Sequence, residues 1–173
     1  MMIFKTQRLF VRDLEEGDQD AFFDMMSNPN VMDLIPRPVM DRQTSDANFL
    51  KHFNRSKDSQ VIVWAICVQE KNELIGIAAL LKNNKNEDEI GYRLRERYWG
   101  VGYGTEIAKG LIDYAFEELK TPLVTADVNT RNHRSAKILE KFFEIEFEFF
   151  NEIDNCTDRR YKLMRENWMR TQN

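Results

Sequence analysis

The chain has 173 residues, 42% of them apolar and 31% charged, and a net charge of −4. That length and balance fit one ordinary domain over residues 1–173 with a buried core, and exclude global disorder. The acidic sign argues against a general binder of nucleic acid or anionic membrane, and no apolar run approaches the roughly 18 residues of a membrane span.

In chain order, residues 8–12 (RLFVR) predict a short first strand. The N-terminal text MMIFKTQRLFVRD has neither a continuous apolar core nor a small-residue cleavage site, so it does not read as a secretory signal. Residues 17–26 predict a helix with Ala21, Phe22, Met25 and Met26 on one face, stopped by S-N-P-N at 27–30. Residues 31–41, with Pro36 and Pro38, read as a loop. Residues 44–53 predict a second helix with Ala47, Leu50 and Phe53 inward. Residues 60–68 (QVIVWAICV) form a β-branched apolar run, a buried strand in which Cys67 packs as a small hydrophobe. A polar turn at 70–73, a strand at 74–81, a polar hairpin loop and a strand at 89–94 follow. A helix over 104–119 carries a stripe of Ala108, Leu111, Ile112, Ala115, Phe116 and Leu119. Then come a strand at 123–128, a helix at 133–142 capped by Asn132, and strands at 144–150 and 159–164. Helices mixed with runs of strands indicate an α+β fold, with a mostly antiparallel sheet.

Seven glycines is few for this length, yet Gly91, Gly100, Gly102, Gly104 and Gly110 fall close together. W-G-V-G-Y-G therefore marks a local backbone requirement. A strand ends, Arg95 and Arg97 follow, and the glycines open a helix. Such a turn aims N–H groups at an anion, and the helix N-terminus adds positive potential. Residues 90–141 are also the locally basic part, with nine Lys/Arg against seven Asp/Glu. The ligand this suggests is a phosphate or pyrophosphate. The alternative is a strand-to-helix loop that uses glycine for geometry alone.

R97-Y-W-G-V-G102 fits Arg/Gln-x-x-Gly-x-Gly/Ala and resembles the acetyl-CoA pyrophosphate motif of the GNAT superfamily of N-acetyltransferases. T6-Q-R-L-F-V-R12, N28-P-N-V31 and N132-H-R-S-A-K-I-L-E-K141 resemble further segments of its Rim-type branch, the ribosomal-protein N-terminal acetyltransferases and their relatives. The resemblance covers nearly the whole chain in order. It implies a three-layer fold with about seven strands and four flanking helices. It implies direct transfer of acetyl from acetyl-CoA to a primary amine (a protein N-terminus or a small cationic amine) in a ternary complex. Two cysteines give no disulfide framework, which points to a reducing cytoplasm, and two widely spaced histidines argue against a metal site; a monomer or homodimer without nucleic-acid or membrane partner is expected. One departure stands out. The branch continues E-K-x-G-F, and here Phe142 and Phe143 follow Lys141, so this helix must end without glycine.

The same resemblance implies a cofactor set of Arg93, Leu94, Arg97, Trp99, Gly100, Val101, Gly102, Tyr103, Gly104, Thr105 and Asn132, with a backbone N–H near Arg93 or Leu94 for the thioester oxygen. Ser135 matches the serine proposed to meet the CoA sulfur; on its own it reads equally as a first-turn serine bonding to backbone. Glu89 stands where relatives place an acidic base, and otherwise reads as an exposed loop carboxylate. Glu106 reads as a helix-start charge. Asp18, Asp20, Asp24, Asp33, Asp41, Glu152 and Asp154 suggest an acidic acceptor groove, with the Pro36–Pro38 loop as one wall. Two readings compete with the enzyme: a non-catalytic acetyl-CoA sensor on the same fold, and a dinucleotide-binding oxidoreductase with Asp127 on a ribose.

Overall fold

The computed structural model describes residues 1–35, 37–56 and 59–172. Among them the strands are β1 Met2–Lys5, β2 Leu9–Arg12, β3 Val61–Val68, β4 Lys71–Lys82, β5 Asp88–Leu94, β6 Leu123–Asn129, β7 Glu144–Asn151 and β8 Cys156–Met164. The helices are α1 Gln19–Met26, α2 Pro29–Met32, α3 Arg42–Phe53, α4 Tyr103–Glu117, α5 His133–Leu139 and α6 Arg165–Thr171. The strands form one sheet in the order β1-β2-β3-β4-β5-β6-β8-β7. The α+β class is as expected, with eight strands where about seven were predicted and two more helices than the expected four.

Both faces of the sheet are covered, which explains why β3 is apolar at nearly every position. Its Trp64 and Ile66 face one core, shared with Ile107, Leu111, Ala115 and Phe116 of α4. Val63, Ala65 and Cys67 face a second core with Phe22 and Met25 of α1 and Phe49 of α3. Cys67 is fully buried, and burial pushes its thiol up to about 12.

Several sequence expectations change. β1 and α6 are too short to show a period in the sequence; α6 is fixed by Trp168, which packs on Phe116 at 5.2 Å and donates to Asp113. S-N-P-N ends one helix and also starts another. Asn28 accepts from the Asn30 N–H, and Pro29 needs no donor in the first turn of α2. In α3 the buried face is Ser45 and Phe49, while Ala47 and Leu50 are exposed, because Phe49 packs between Phe22 and Phe53. Leu119 lies beyond the end of α4 and is exposed. The β3–β4 turn is tighter than residues 70–73, since Val68 already pairs with Lys71. α5 leaves without a left-handed residue: the Phe142 and Phe143 N–H groups both return to the Leu139 carbonyl, and Phe143 enters the core.

One junction positions everything that follows. β4 pairs with β5 through to Leu94, and β6 pairs with β8 along its whole length. Between β5 and β6 the parallel pairing is confined to Glu89 and Thr125. Thr125 donates to the Asp88 carbonyl and accepts from Asn83, pinning this closed end. Beyond it the strands diverge, leaving residues 90–94 with an unladdered edge.

A buried ion pair ties β2 to the start of α1. Arg12 donates twice to Asp18, at 2.7 and 2.8 Å, and twice to Asn72, at its side-chain oxygen and its carbonyl, with both charged side chains 5% exposed. Removing one partner strands the other charge. Arg12→Met is expected to cost about 3–5 kcal/mol in urea unfolding, with much of it recovered in Arg12→Met/Asp18→Leu.

Candidate active site

The glycine turn begins where β5 ends. Arg95 anchors that point by pairing with Asp24 at 2.8 Å and Glu73 at 2.7 Å and by donating to the Leu74 carbonyl. A 3-10 turn over Glu96–Tyr98 follows. Asn28 and Asn30 both donate to Glu96, so the start of α2 is docked on it. Trp99 folds back to donate to the Leu94 carbonyl. Gly100 and Gly102 have φ of +79° and +88°, values an L side chain resists. Gly102 caps α4 with no side-chain hydrogen bond, so the first-turn N–H groups are left for a ligand, backed by the helix dipole.

Gly104 has a different job. A Cβ there would come within 2.8 Å of Ile138, so its missing side chain lets α4 and α5 approach.

Glu106 is a first-turn charge of α4, as expected, and it has partners far along the chain. It accepts from the Thr6 hydroxyl, the Arg8 N–H and the Arg8 guanidinium at 2.6–2.7 Å. Arg8 in turn donates to the Val101 carbonyl and lies over the Tyr103 ring. The N-terminal hairpin is thus latched across the glycine turn. Burial alone would raise the Glu106 pKa, and the donors from Thr6 and Arg8 outweigh it, so the carboxyl is held below its usual range.

Two cavities meet in the gap between β5 and β6. A groove of about 680 Å³ runs along the glycine turn and the first turns of α5. A pocket of about 250 Å³ opens on the other side. They share Leu34, Ile35, Tyr92, Arg93, Asn132 and Ser135. A larger groove, about 1180 Å³, lies between β1 and α4 but does not reach this gap.

Arg93, Leu94, Trp99, Gly100, Gly102, Gly104, Thr105, Asn132 and Ser135 all line the groove. Arg97, Val101 and Tyr103 do not. The Arg97 guanidinium is exposed and turned to Glu73 and the Tyr98 ring, Val101 gives its carbonyl to Arg8, and the Tyr103 ring lies beneath Arg8. Besides Arg93, the basic residues that line the groove are Arg134, stacked over Trp99, and Lys137. Their i, i+3 spacing at the start of α5 was the signal available for them.

Asn132 is both the α5 cap, accepting from the Ser135 N–H, and a lining residue. The Tyr92 hydroxyl is buried without a hydrogen-bonding partner. Burial pushes its pKa up to about 12, opposed by the Ser135 hydroxyl. Glu89 is half-buried at the closed end of the gap. Burial, helped by Asp127 and Asp158 and opposed by Arg160, pushes it up to about 7.

Most acids expected to form an acceptor groove are engaged elsewhere. Asp18 is held by Arg12, Asp24 by Arg95 and Asp20 by Arg42, and Asp41 caps α3. Asp33 and Glu152 are exposed, and Asp154 lines the smaller pocket together with Asp127 and Asp158. Pro36 lies outside the described residues. Asp127 is forked by Arg160 at 2.7 and 2.8 Å, which leaves it unsuited to a ribose. Among the described residues no group of His, Cys, Asp and Glu could hold a metal ion, and no helix is long and apolar enough to cross a membrane.

Comparison with known proteins gives the class. Residues 8–142 match the family described as acetyltransferase (GNAT) domain, and the chain belongs to that family. It is 30% identical over 139 residues to the uncharacterized N-acetyltransferase p20 of Bacillus licheniformis, covering 78% of this chain and 77% of that protein. A GNAT family acetyltransferase from Bacillus anthracis shares the fold at a TM-score of 0.82 and 24% identity, over 96% of this chain and 99% of that one. Spermidine N-acetyltransferase from Vibrio cholerae, solved with CoA and spermine, does so at 0.76 and 20%, over 94% and 98%. The protein is a GNAT family N-acetyltransferase.

The latch makes a prediction. Glu106→Ala is expected to raise the KM for acetyl-CoA about tenfold, near 1.4 kcal/mol, with kcat at saturating cofactor within about threefold. Initial rates over both substrates check it; a loss confined to kcat would place Glu106 in the chemistry.

Proposed function

We propose that the chain, as one domain over residues 1–173, transfers acetyl from acetyl-CoA to a primary amine by direct attack in a ternary complex. The observation that carries this is the meeting of a donor groove and an acceptor pocket at Tyr92, Arg93, Asn132 and Ser135. The residues present fit the donor. The uncapped first turn of α4 and the positive-φ glycines suit a pyrophosphate, Arg134 and Lys137 add charge, and the diverging edge of β5 suits an extended amide-bearing arm.

In this reading a backbone N–H near Arg93 or Leu94 donates to the thioester oxygen as charge develops there. Glu89 takes a proton from the arriving ammonium, directly or through water, since only the neutral amine attacks. The C–N bond forms as the C–S bond breaks. The second amine proton leaves with the sulfur as a thiol, with Ser135 and the Tyr92 hydroxyl as the nearest donors. The acceptor is the terminal amine of a protein, as the Rim-type resemblance suggests, or a small cationic amine. Asp158, which lines the pocket and meets no cation among the described residues, favours an ammonium on arrival.

The base must be ionised to act, and its pKa is raised, so kcat/KM rises with pH to a plateau above about 7. Glu89→Gln is expected to lower kcat/KM by about 10²-fold or more and to abolish that acid limb. A pH–rate profile that keeps the limb in the variant places the base elsewhere. Ser135→Ala is expected to lower kcat by about tenfold or more with KM for acetyl-CoA nearly unchanged, a result that initial rates at saturating acceptor would show.

A further inference from the structure

Among the described residues Arg93 meets no carboxylate. Arg12, Arg95 and Arg160 each meet a carboxylate. Among the described residues, the Arg93 guanidinium instead meets the thioether sulfurs of Met26 at 2.9 Å and Met32 at 3.5 Å, and its Nε is buried with no partner. Thioethers are weak acceptors, and a guanidinium taken from water needs hydrogen bonds and an anion to offset its desolvation.

Its position is informative. Arg93 shares a face of β5 with Gly91 and Glu89, by strand alternation. It lines both the donor groove and the acceptor pocket, so it stands where the two substrates meet. A second guanidinium lies within electrostatic reach: Arg37, which pairs with Asp154 at 3.4 Å. Burial and then Arg37 together lower Arg93 to about 10, still charged at neutral pH. The pocket therefore has a cationic end at Arg93 and an acidic end at Asp158, Asp127 being already paired with Arg160.

We infer that Arg93 holds a carboxylate carried by the acceptor, so that the acetylated amine belongs to an aminocarboxylate. This rests on the acetyl-transfer reading and replaces its small cationic amine with an acceptor that also carries a carboxylate. The planar fork suits two parallel bonds to a carboxylate. The ammonium of the same molecule then points toward the acidic end. The carboxylate makes and breaks no bond; it fixes which nitrogen faces the thioester. A free amino acid and an acidic residue near a peptide N-terminus present the same chemistry.

The test uses the purified full chain with acetyl-CoA and matched acceptors: free amino acids against their carboxamides and decarboxylated amines, and short peptides with acidic against neutral first residues. The carboxylate-bearing partner of each pair is expected to lead by about tenfold or more in kcat/KM. Preference for free amino acids identifies them as the source, and preference confined to acidic peptides identifies the peptide. Arg93→Met is expected to erase the lead by raising the acceptor KM, and Arg93→Lys to keep part of it. A coenzyme A titration of each variant checks that the donor groove is intact.

Calorimetric titration of the same acceptors into the CoA-bound protein separates the two readings. Carboxylate-dependent binding that Arg93→Met removes, without turnover, upholds the carboxylate site at Arg93 and defeats acetyl transfer. Turnover of amides and plain amines as fast as of carboxylates does the reverse. A carboxylate preference that survives Arg93→Met also overturns the assignment.

Discussion

The architecture depends on one short parallel contact, Glu89 against Thr125. Each half of the sheet is fully laddered within itself, through β4–β5 on one side and β6–β8 on the other. Opening the sheet beyond that contact therefore costs few hydrogen bonds. It leaves strand backbone facing a cavity, and buried backbone polar groups require partners. A ligand with amide groups of its own satisfies the edge in a way that another strand would otherwise do. The gap also brings the two cavities together, and it places Glu89 at the closed end, where burial and neighbouring acids keep its proton exchangeable near neutrality.

Around this gap the chain is positioned by ionic ties more than by loop packing. Arg12 holds the entry to α1, Arg95 the end of β5, and Arg160 the middle of β6 while lying over Phe147 and Phe149. Buried pairs of this kind add little net stability against apolar substitutes, yet each is intolerant of losing one member. They serve to fix where strands and helices end. Against that pattern Arg93, met by sulfur alone among the described residues, is a departure located at the meeting of the cavities.

Much of this was legible in the sequence. The apolar run of β3, the stripe of α4 and the glycine turn announced themselves through periodicity and composition, since each depends on local residue type. The family resemblance placed nine groove-lining residues. What stayed hidden depended on partners distant in sequence. Nothing near Glu106 reveals that Thr6 and Arg8 hold it, and nothing near Arg97 reveals that Glu73 turns it away. The inward face of α3 was misread because Phe49 follows Phe22 and Phe53 more than the helix's weak apolar pattern. Short elements such as β1 and α6 have too few residues to show a period. The acids of the N-terminal third suggested a groove by count alone, and counting could not show that Arg12, Arg42 and Arg95 neutralise most of them.

The latch between Arg8 and Glu106 spans 98 residues of chain. Closing so long a loop carries an entropic cost that local contacts cannot offset early, and such contacts form late in folding. On the ribosome, the glycine turn can take its final shape only after α4 has emerged and returned to strands made at the outset. Maturation of the anion-binding turn is thereby coupled to completion of the first half-sheet.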